Sequence, residues 1–229
     1  MYLSPSGILW VAASAGLYMI ENGNIAQNTA IQIQGIEGIK EDKNGHLWIS
    51  NSRGLYRYIP EEKHIEHFSE KEGLPNNVIR RMLFDHEGNL WIASYRSGLY
   101  QLTDGIFNCF TENEGLPDAV ATSIVPYPDG TFWIGTEGGK IGILKNRIIQ
   151  TLATSTPINN PRIKHLMKDS QDNIWISTYG GLLKSDATGK ILLSYEHEEL
   201  DNYTRITCED KAGNIWVGTR RKGLFKLIN

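Results

Sequence analysis

Five basic residues stand where ligand chemistry is concentrated: Arg80, Arg81, Lys164, His165 and Arg205. Each lies ten or eleven positions before a tryptophan, namely Trp91, Trp175 or Trp216. Glu37 and Thr122 hold the same place before Trp48 and Trp133. The next positions are apolar: Ile39, Met82, Ile124 and Leu166. A second polar set follows the tryptophans and contains Arg53, Tyr95, Arg96, Tyr179 and Arg220. A guanidinium is a planar fork of donors that matches carboxylate or sulfate, and a tyrosine ring offers a face to a sugar. The pattern predicts a polar, largely cationic mouth above an apolar plug. Its ligand is expected to be anionic or polyhydroxylated, such as an oligosaccharide. The competing reading is that these side chains pair with neighbouring carboxylates and are solvated.

Catalytic chemistry finds less support. The histidines His46, His64, His67, His86, His165 and His197 are scattered over different strand positions, and none has zinc-ligand spacing with cysteine. His64 and His67 read as solvated residues of an outer strand. His165 is the histidine that falls on an inner strand. No Gly-x-Ser-x-Gly elbow and no phosphate loop occurs. No catalytic residue, metal site or cofactor is therefore assigned.

The elements that must position these residues follow from a repeat. Trp10, Trp48, Trp91, Trp133, Trp175 and Trp216 are all the tryptophans, spaced by 38, 43, 42, 42 and 41 residues. A fixed period of this length marks a stacked or radial repeat architecture. Six residues before the tryptophan stands Asp42, Asp85, Asp169 or Asp210, replaced by Ser4 in copy one and Tyr127 in copy four. A glycine usually follows three residues later, as at Gly45 and Gly88, with Asp172 the exception. Asp-x-x-Gly is turn chemistry. The aliphatic-Trp-aliphatic run behind it reads as a strand buried on both faces. A polar turn, a Gly-Leu-aromatic strand, an outer strand and the next inner strand complete the unit.

Four short antiparallel strands per ~42 residues are the blades of a β-propeller. The fold class is all-β, with six repeats at approximately 1–30, 31–77, 78–119, 120–161, 162–203 and 204–229 of a single domain. Both end blades are expected to be incomplete: copy one lacks the start of its inner strand, and copy six lacks an outer strand. Either six blades close loosely or the chain belongs to a larger propeller. The tryptophans are expected to pack between blades.

Net charge is −3, from 23 basic and 26 acidic residues. This gives no electrostatic footprint for nucleic acid or an anionic membrane. Cys109 and Cys208 occupy different positions of different repeats and are expected to be free thiols. The apolar run from Ile8 to Ile20 has no basic residue before it, so it is read as the first repeat and not as a signal peptide. It is also too short to span a bilayer.

The unit Val78-x-x-x-Met82-x-x-Asp85-x-x-Gly88-Asn89-Leu90-Trp91-Ile92-Ala93-Ser94, with Glu114-Gly115-Leu116-Pro117 before the next blade, resembles the two-component regulator propeller repeat. So does Asp210-Lys211-Ala212-Gly213-Asn214-Ile215-Trp216-Val217-Gly218-Thr219. That resemblance implies a sensor module of hybrid histidine kinases that faces the periplasm. It also implies partners in the rest of a larger receptor or a second copy. Nothing in the chain resembles a kinase, receiver or DNA-binding domain. The streptogramin lyases, also propellers with similar repeats, are the enzymatic alternative and would use a histidine such as His165. A protein-interaction scaffold is a third reading. Asp-x-x-Gly-x-x-Trp is close to the Asp-box of sialidases, with spacing off by one; that box is itself a fold-stabilising turn.

Overall fold

The computed structural model describes residues 1–13, 16–28, 30–74, 76, 78–152, 161–195 and 203–227. His197 and Asn229 lie outside the described residues.

The fold is a six-blade β-propeller of antiparallel sheets. Blade 1 contains β1 (Tyr2–Leu3), β2 (Leu9–Ala13), β3 (Gly16–Glu21) and β4 (Asn24–Gln27). Blade 2 contains β5 (Gly38–Glu41), β6 (Leu47–Asn51), β7 (Gly54–Ile59) and β8 (His64–Phe68). Blade 3 contains β9 (Ile79–Phe84), β10 (Leu90–Ser94), β11 (Leu99–Thr103) and β12 (Ile106–Phe110). Blade 4 contains β13 (Ala121–Pro126), β14 (Phe132–Thr136), β15 (Ile141–Lys145) and β16 (Ile148–Leu152). Blade 5 contains β17 (Ile163–Lys168), β18 (Ile174–Thr178), β19 (Gly181–Ser185) and β20 (Ile191–Tyr195). Blade 6 has three strands, β21 (Thr204–Glu209), β22 (Ile215–Thr219) and β23 (Leu224–Leu227). The strands gather into two compact units, Met1–Cys109 and Phe110–Asn229.

Each sheet is a meander in which neighbours in sequence are neighbours in space. The second strand of a blade carries the tryptophan and is the most buried: every residue of β6, β10, β14 and β18 is buried. A strand buried on both faces needs no polar alternation, which is why Leu-Trp-Ile-Ser and Ile-Trp-Ile-Ser suffice there. Outer strands such as β8 and β20 are largely solvated. His64 and His67 lie on β8 as expected, with the His67 ring stacked 4.3 Å from Tyr56. Neither cysteine forms a disulfide, and both are exposed.

Blades cohere by packing the tryptophan of one against the first strand of the next. In the first unit, Trp48, Leu55, Leu74, Ile79, Met82, Ile92 and Tyr100 share one core cluster. In the second, Trp133, Ile141, Ile163, Leu166, Ile176 and Leu183 do the same. The first strands touch across blades, β5 with β9, and β17 with β13 and β21.

The turn before each tryptophan is one structure written six times. The residue six before it donates its N–H to a carbonyl four residues on and accepts an N–H from three residues on, as in Asp85 with Asn89 and Gly88. Ser4 and Tyr127 form the same pair of bonds. Where aspartate stands there, its second oxygen accepts the indole N–H. The distances are 2.9 Å for Trp48–Asp42, 2.7 Å for Trp91–Asp85, 3.0 Å for Trp175–Asp169 and 2.9 Å for Trp216–Asp210.

The residues leading into the Gly-Leu-Pro stretches are structured and not plain loop. Each follows one turn of 3-10 helix, Glu70–Glu72 or Glu112–Glu114, with a capping box from Ser69 or Thr111. Gly73 and Gly115 end these turns at φ of 92° and 94°. That backbone sends Leu74 and Leu116 into the core, both buried. Pro75 and Asn77, in the first of these stretches, lie outside the described residues.

Candidate functional site

The basic residues owe their placement to a repeated β-bulge. In blade 3, Ala93 pairs with Arg81 and Ser94 pairs with Ile79, so Arg80 is an extra residue. The same shift leaves Thr122, Lys164 and Arg205 extra in blades 4, 5 and 6. These are the residues eleven before a tryptophan. A bulge releases one residue from the ladder and re-aims its side chain. Thr122 spends its hydroxyl on the Gly135 carbonyl, and the other three are cations.

A second backbone bond fixes the turn after the tryptophan strand to the start of the first strand. Tyr95 donates its N–H to Val78, Tyr179 to Arg162 and Arg220 to Tyr203, at 3.0–3.2 Å. The turn residues are therefore held beside the bulge.

In the first unit this gathers Arg80, Arg81, Tyr95 and Arg96. The Arg80 and Arg96 guanidinium carbons lie 4.8 and 5.1 Å from the centre of the Tyr95 ring. Arg96 holds a left-handed φ of 65°, a conformation that non-glycine residues keep only when surroundings enforce it. Arg81 donates to the Arg80 carbonyl at 3.0 Å.

Between the first strands of blades 2 and 3 lies a cavity of about 290 Å³, lined by Tyr2, Glu37, Lys40, Ser50, Arg80 and Arg81 among others. Lys40 is half-buried, with its ammonium 5.1 Å from the Tyr2 ring centre. Burial first, then the charge of Arg81, draws Lys40 below the usual lysine range. Arg81 is exposed along part of its length, yet burial and the charge of Arg80 lower it too.

In the second unit the cations and aromatics form a ladder. The Lys164 ammonium lies 4.3 Å from the Tyr179 ring centre and the Arg162 guanidinium 6.0 Å from it. Tyr179 packs at 4.4 Å on Tyr203, which carries Arg220 at 5.4 Å. Lys164 also pairs with Glu137 at 3.1 Å. Arg205 is exposed on its bulge. His165 turns towards β21, where its Nδ1 accepts the Thr207 backbone N–H at 3.3 Å.

Of the expected residues, Arg80, Arg81, Tyr95 and Arg96 lie together in the first unit and Lys164, Tyr179 and Arg220 in the second, while Arg205 stands exposed and His165 is directed at a neighbouring strand. Cations lie over Tyr95 and Tyr179, so they compete with any sugar for those ring faces. Lys40, Arg162 and Tyr203 were not foreseen. Arg162 and Tyr203 stand thirteen positions before Trp175 and Trp216, so the repeat register could have marked them. Lys40 stands eight before Trp48, on a position with no polar counterpart in most other copies.

Among the described residues there is no group of three or more histidine, cysteine, aspartate or glutamate side chains suited to a metal ion. No helix among them is long and apolar enough to cross a membrane.

No curated protein matches the sequence. Solved structures match nearly the whole chain. The extracellular domain of a one-component system, BT4673, from B. thetaiotaomicron superposes with TM-score 0.77 at 19% identity. It covers 99% of this chain, which spans 33% of that one. PorZ of the type-IX secretion system of Porphyromonas gingivalis gives TM-score 0.74 at 16% identity, over 96% of this chain and 37% of its own. An inactive virginiamycin B lyase from Staphylococcus aureus gives TM-score 0.74 at 14% identity, over 98% of this chain and 82% of its own. At such identities these likenesses speak to the fold. The family described as two component regulator propeller matches residues 73–96, 115–138, 157–180 and 199–221. Those spans carry the tryptophans of blades 3 to 6, and the same Asp-turn-Trp bond recurs outside them at Asp42 and Trp48. Four repeats of the chain, one carrying the tryptophan of each of blades 3 to 6, thus match the two-component regulator propeller family.

Proposed function

We propose that the chain is a non-catalytic sensor module that recognises a ligand carrying carboxylate or sulfate groups, such as an acidic oligosaccharide. The observation that carries this reading is the bulge repeated in blades 3, 5 and 6, which presents Arg80, Lys164 and Arg205. Bulged residues are released from sheet pairing, and guanidinium forks recognise carboxylate and sulfate geometrically. Cations over Tyr95 and Tyr179 favour an anionic ligand over a neutral sugar that would need those rings. The extracellular propeller it superposes on supports a place outside the cytoplasm, and that domain's greater length is consistent with a module of a larger receptor.

Arg80→Ala and Arg205→Ala, made separately, test the reading. Each removes a charge-assisted contact of about 1.5–3 kcal/mol, so affinity for an acidic oligosaccharide that binds the native chain should fall by roughly ten- to a hundredfold. Unchanged affinity in both variants would sink it. The lyase reading has the fold likeness and one histidine on a first strand, but that ring holds the Thr207 backbone.

A further inference from the structure

The cavity between β5 and β9 carries charges that no carboxylate among the described residues pairs with. Lys40, Arg80 and Arg81 line it, and none has a carboxylate within ion-pair distance among the described residues. Glu37, also on the lining, is exposed and makes no ion pair with them. The other lysines on first strands are compensated: Lys164 by Glu137 and Lys168 by Asp172. Like charges brought together and partly desolvated destabilise the fold unless a counter-charge joins them. Burial first, and then the neighbouring charge of Arg81 and of Arg80 respectively, weaken the hold of Lys40 and Arg81 on their protons. The volume, about 290 Å³, lies at the bottom of the range of ligand pockets, about 300–1,000 Å³. It suits one charged group or one sugar residue, and not an oligomer.

We propose that this cavity is a subsite for one oxyanion group, sulfate, phosphate or carboxylate, held by Lys40, Arg80 and Arg81. The assignment rests on the reading of the bulge cations as an anion-binding surface and adds Lys40 as its deepest contact. Ser50, buried on the lining, supplies a neutral hydroxyl beside the charges.

The test is thermal unfolding of the full chain with sodium sulfate, phosphate or acetate, against sodium chloride at equal ionic strength. Native chain is compared with Lys40→Met, which keeps the stem and removes the charge. Sulfate and phosphate stabilise most proteins by exclusion from the surface, and that part is common to both chains. The native chain should show an added, saturable rise with at least one oxyanion. The half-saturation concentration should be at least tenfold higher in Lys40→Met, and the anion with the lowest value names the source. Arg81→Gln should behave like Lys40→Met and serves if that variant folds poorly. Superposable curves for native and variant chains with all three anions would overturn the proposal. Arg205→Ala, in the other unit, should leave the anion response intact. Loss of oligosaccharide binding in Arg205→Ala beside native-like anion curves in Lys40→Met would end the subsite and spare the wider reading. The reverse pattern would spare the subsite alone.

Discussion

The indole of Trp175 is buried, and its N–H has a place to go because Asp169 sits six residues earlier. Trp10 does not share that provision: its Nε1 is buried with no hydrogen-bond partner among the described residues. Ser4 occupies the aspartate position in the same turn, but its hydroxyl accepts the Ile8 N–H and pairs with Ser6. Ser4→Asp should supply the missing acceptor and raise stability by about 1 kcal/mol, read from urea unfolding. A loss of stability would mean the first turn differs from the others. The aspartates also set the response to acid. Burial pushes Asp169 up, but bonds from Asn173 and Trp175 and the charge of Lys184 outweigh it, leaving the carboxyl below its usual range. Hydrogen bonds from Trp216 and Asn214 lower Asp210 likewise. A carboxyl lowered in the folded state stabilises fully above its unfolded value, about 3.9. That contribution is lost as pH falls through the folded value. Stability should therefore be flat from neutrality to about pH 5 and fall below about pH 4. Asp169→Asn should flatten part of that acid limb; an unchanged limb would show that the carboxylate is not its source.

Blades were legible because each is punctuated by residues with few alternatives. The tryptophan run marks a strand in every copy, and Asp-x-x-Gly and the Gly-Leu pair mark its neighbours in several, and the observed strands fall on them. The bulges were not legible, since one extra residue in a ladder alters no composition and no period. The residues they present were found by counting back from each tryptophan, which is why Arg80, Lys164 and Arg205 were named without their cause. The 3-10 turns were hidden in the same way, inside Ser-x-x-Glu and Thr-x-x-Glu stretches next to glycine. Gly115 gives that element a direct test. It holds φ 94°, and a Cβ there would lie 2.9 Å from the Ile149 carbonyl oxygen. Gly105 has φ 79° with nothing within 4 Å of a Cβ. Gly115→Ala should cost about 1–3 kcal/mol and Gly105→Ala distinctly less, both by urea unfolding. Equal losses would mean that backbone conformation alone sets the cost at Gly115.

At the scale of the molecule, the period in tryptophan was enough to reach six propeller blades with a short last one. The site was legible as positions and not as chemistry. Sequence placed tyrosines where a sugar could stack, whereas in the fold Arg80 and Arg96 lie over Tyr95 and Lys164 over Tyr179. Cation and ring come together only when the turn after one strand is hydrogen-bonded to the start of another, a tertiary fact. Lys40 was missed for a related reason: its surroundings, and not its spacing, leave it uncompensated. The chain spans about a third of the extracellular domain it superposes on.

Recognition of an anionic ligand is tested most directly by a thermal-shift screen of the native chain against matched acidic and neutral oligosaccharides, with a streptogramin followed for turnover. A native-state ligand at a hundredfold its Kd adds about 2.7 kcal/mol of stability. An acidic oligosaccharide should raise the melting temperature while its neutral counterpart does not, and the streptogramin should remain intact. Equal shifts from neutral and acidic sugars, or turnover of the streptogramin, would contradict the account.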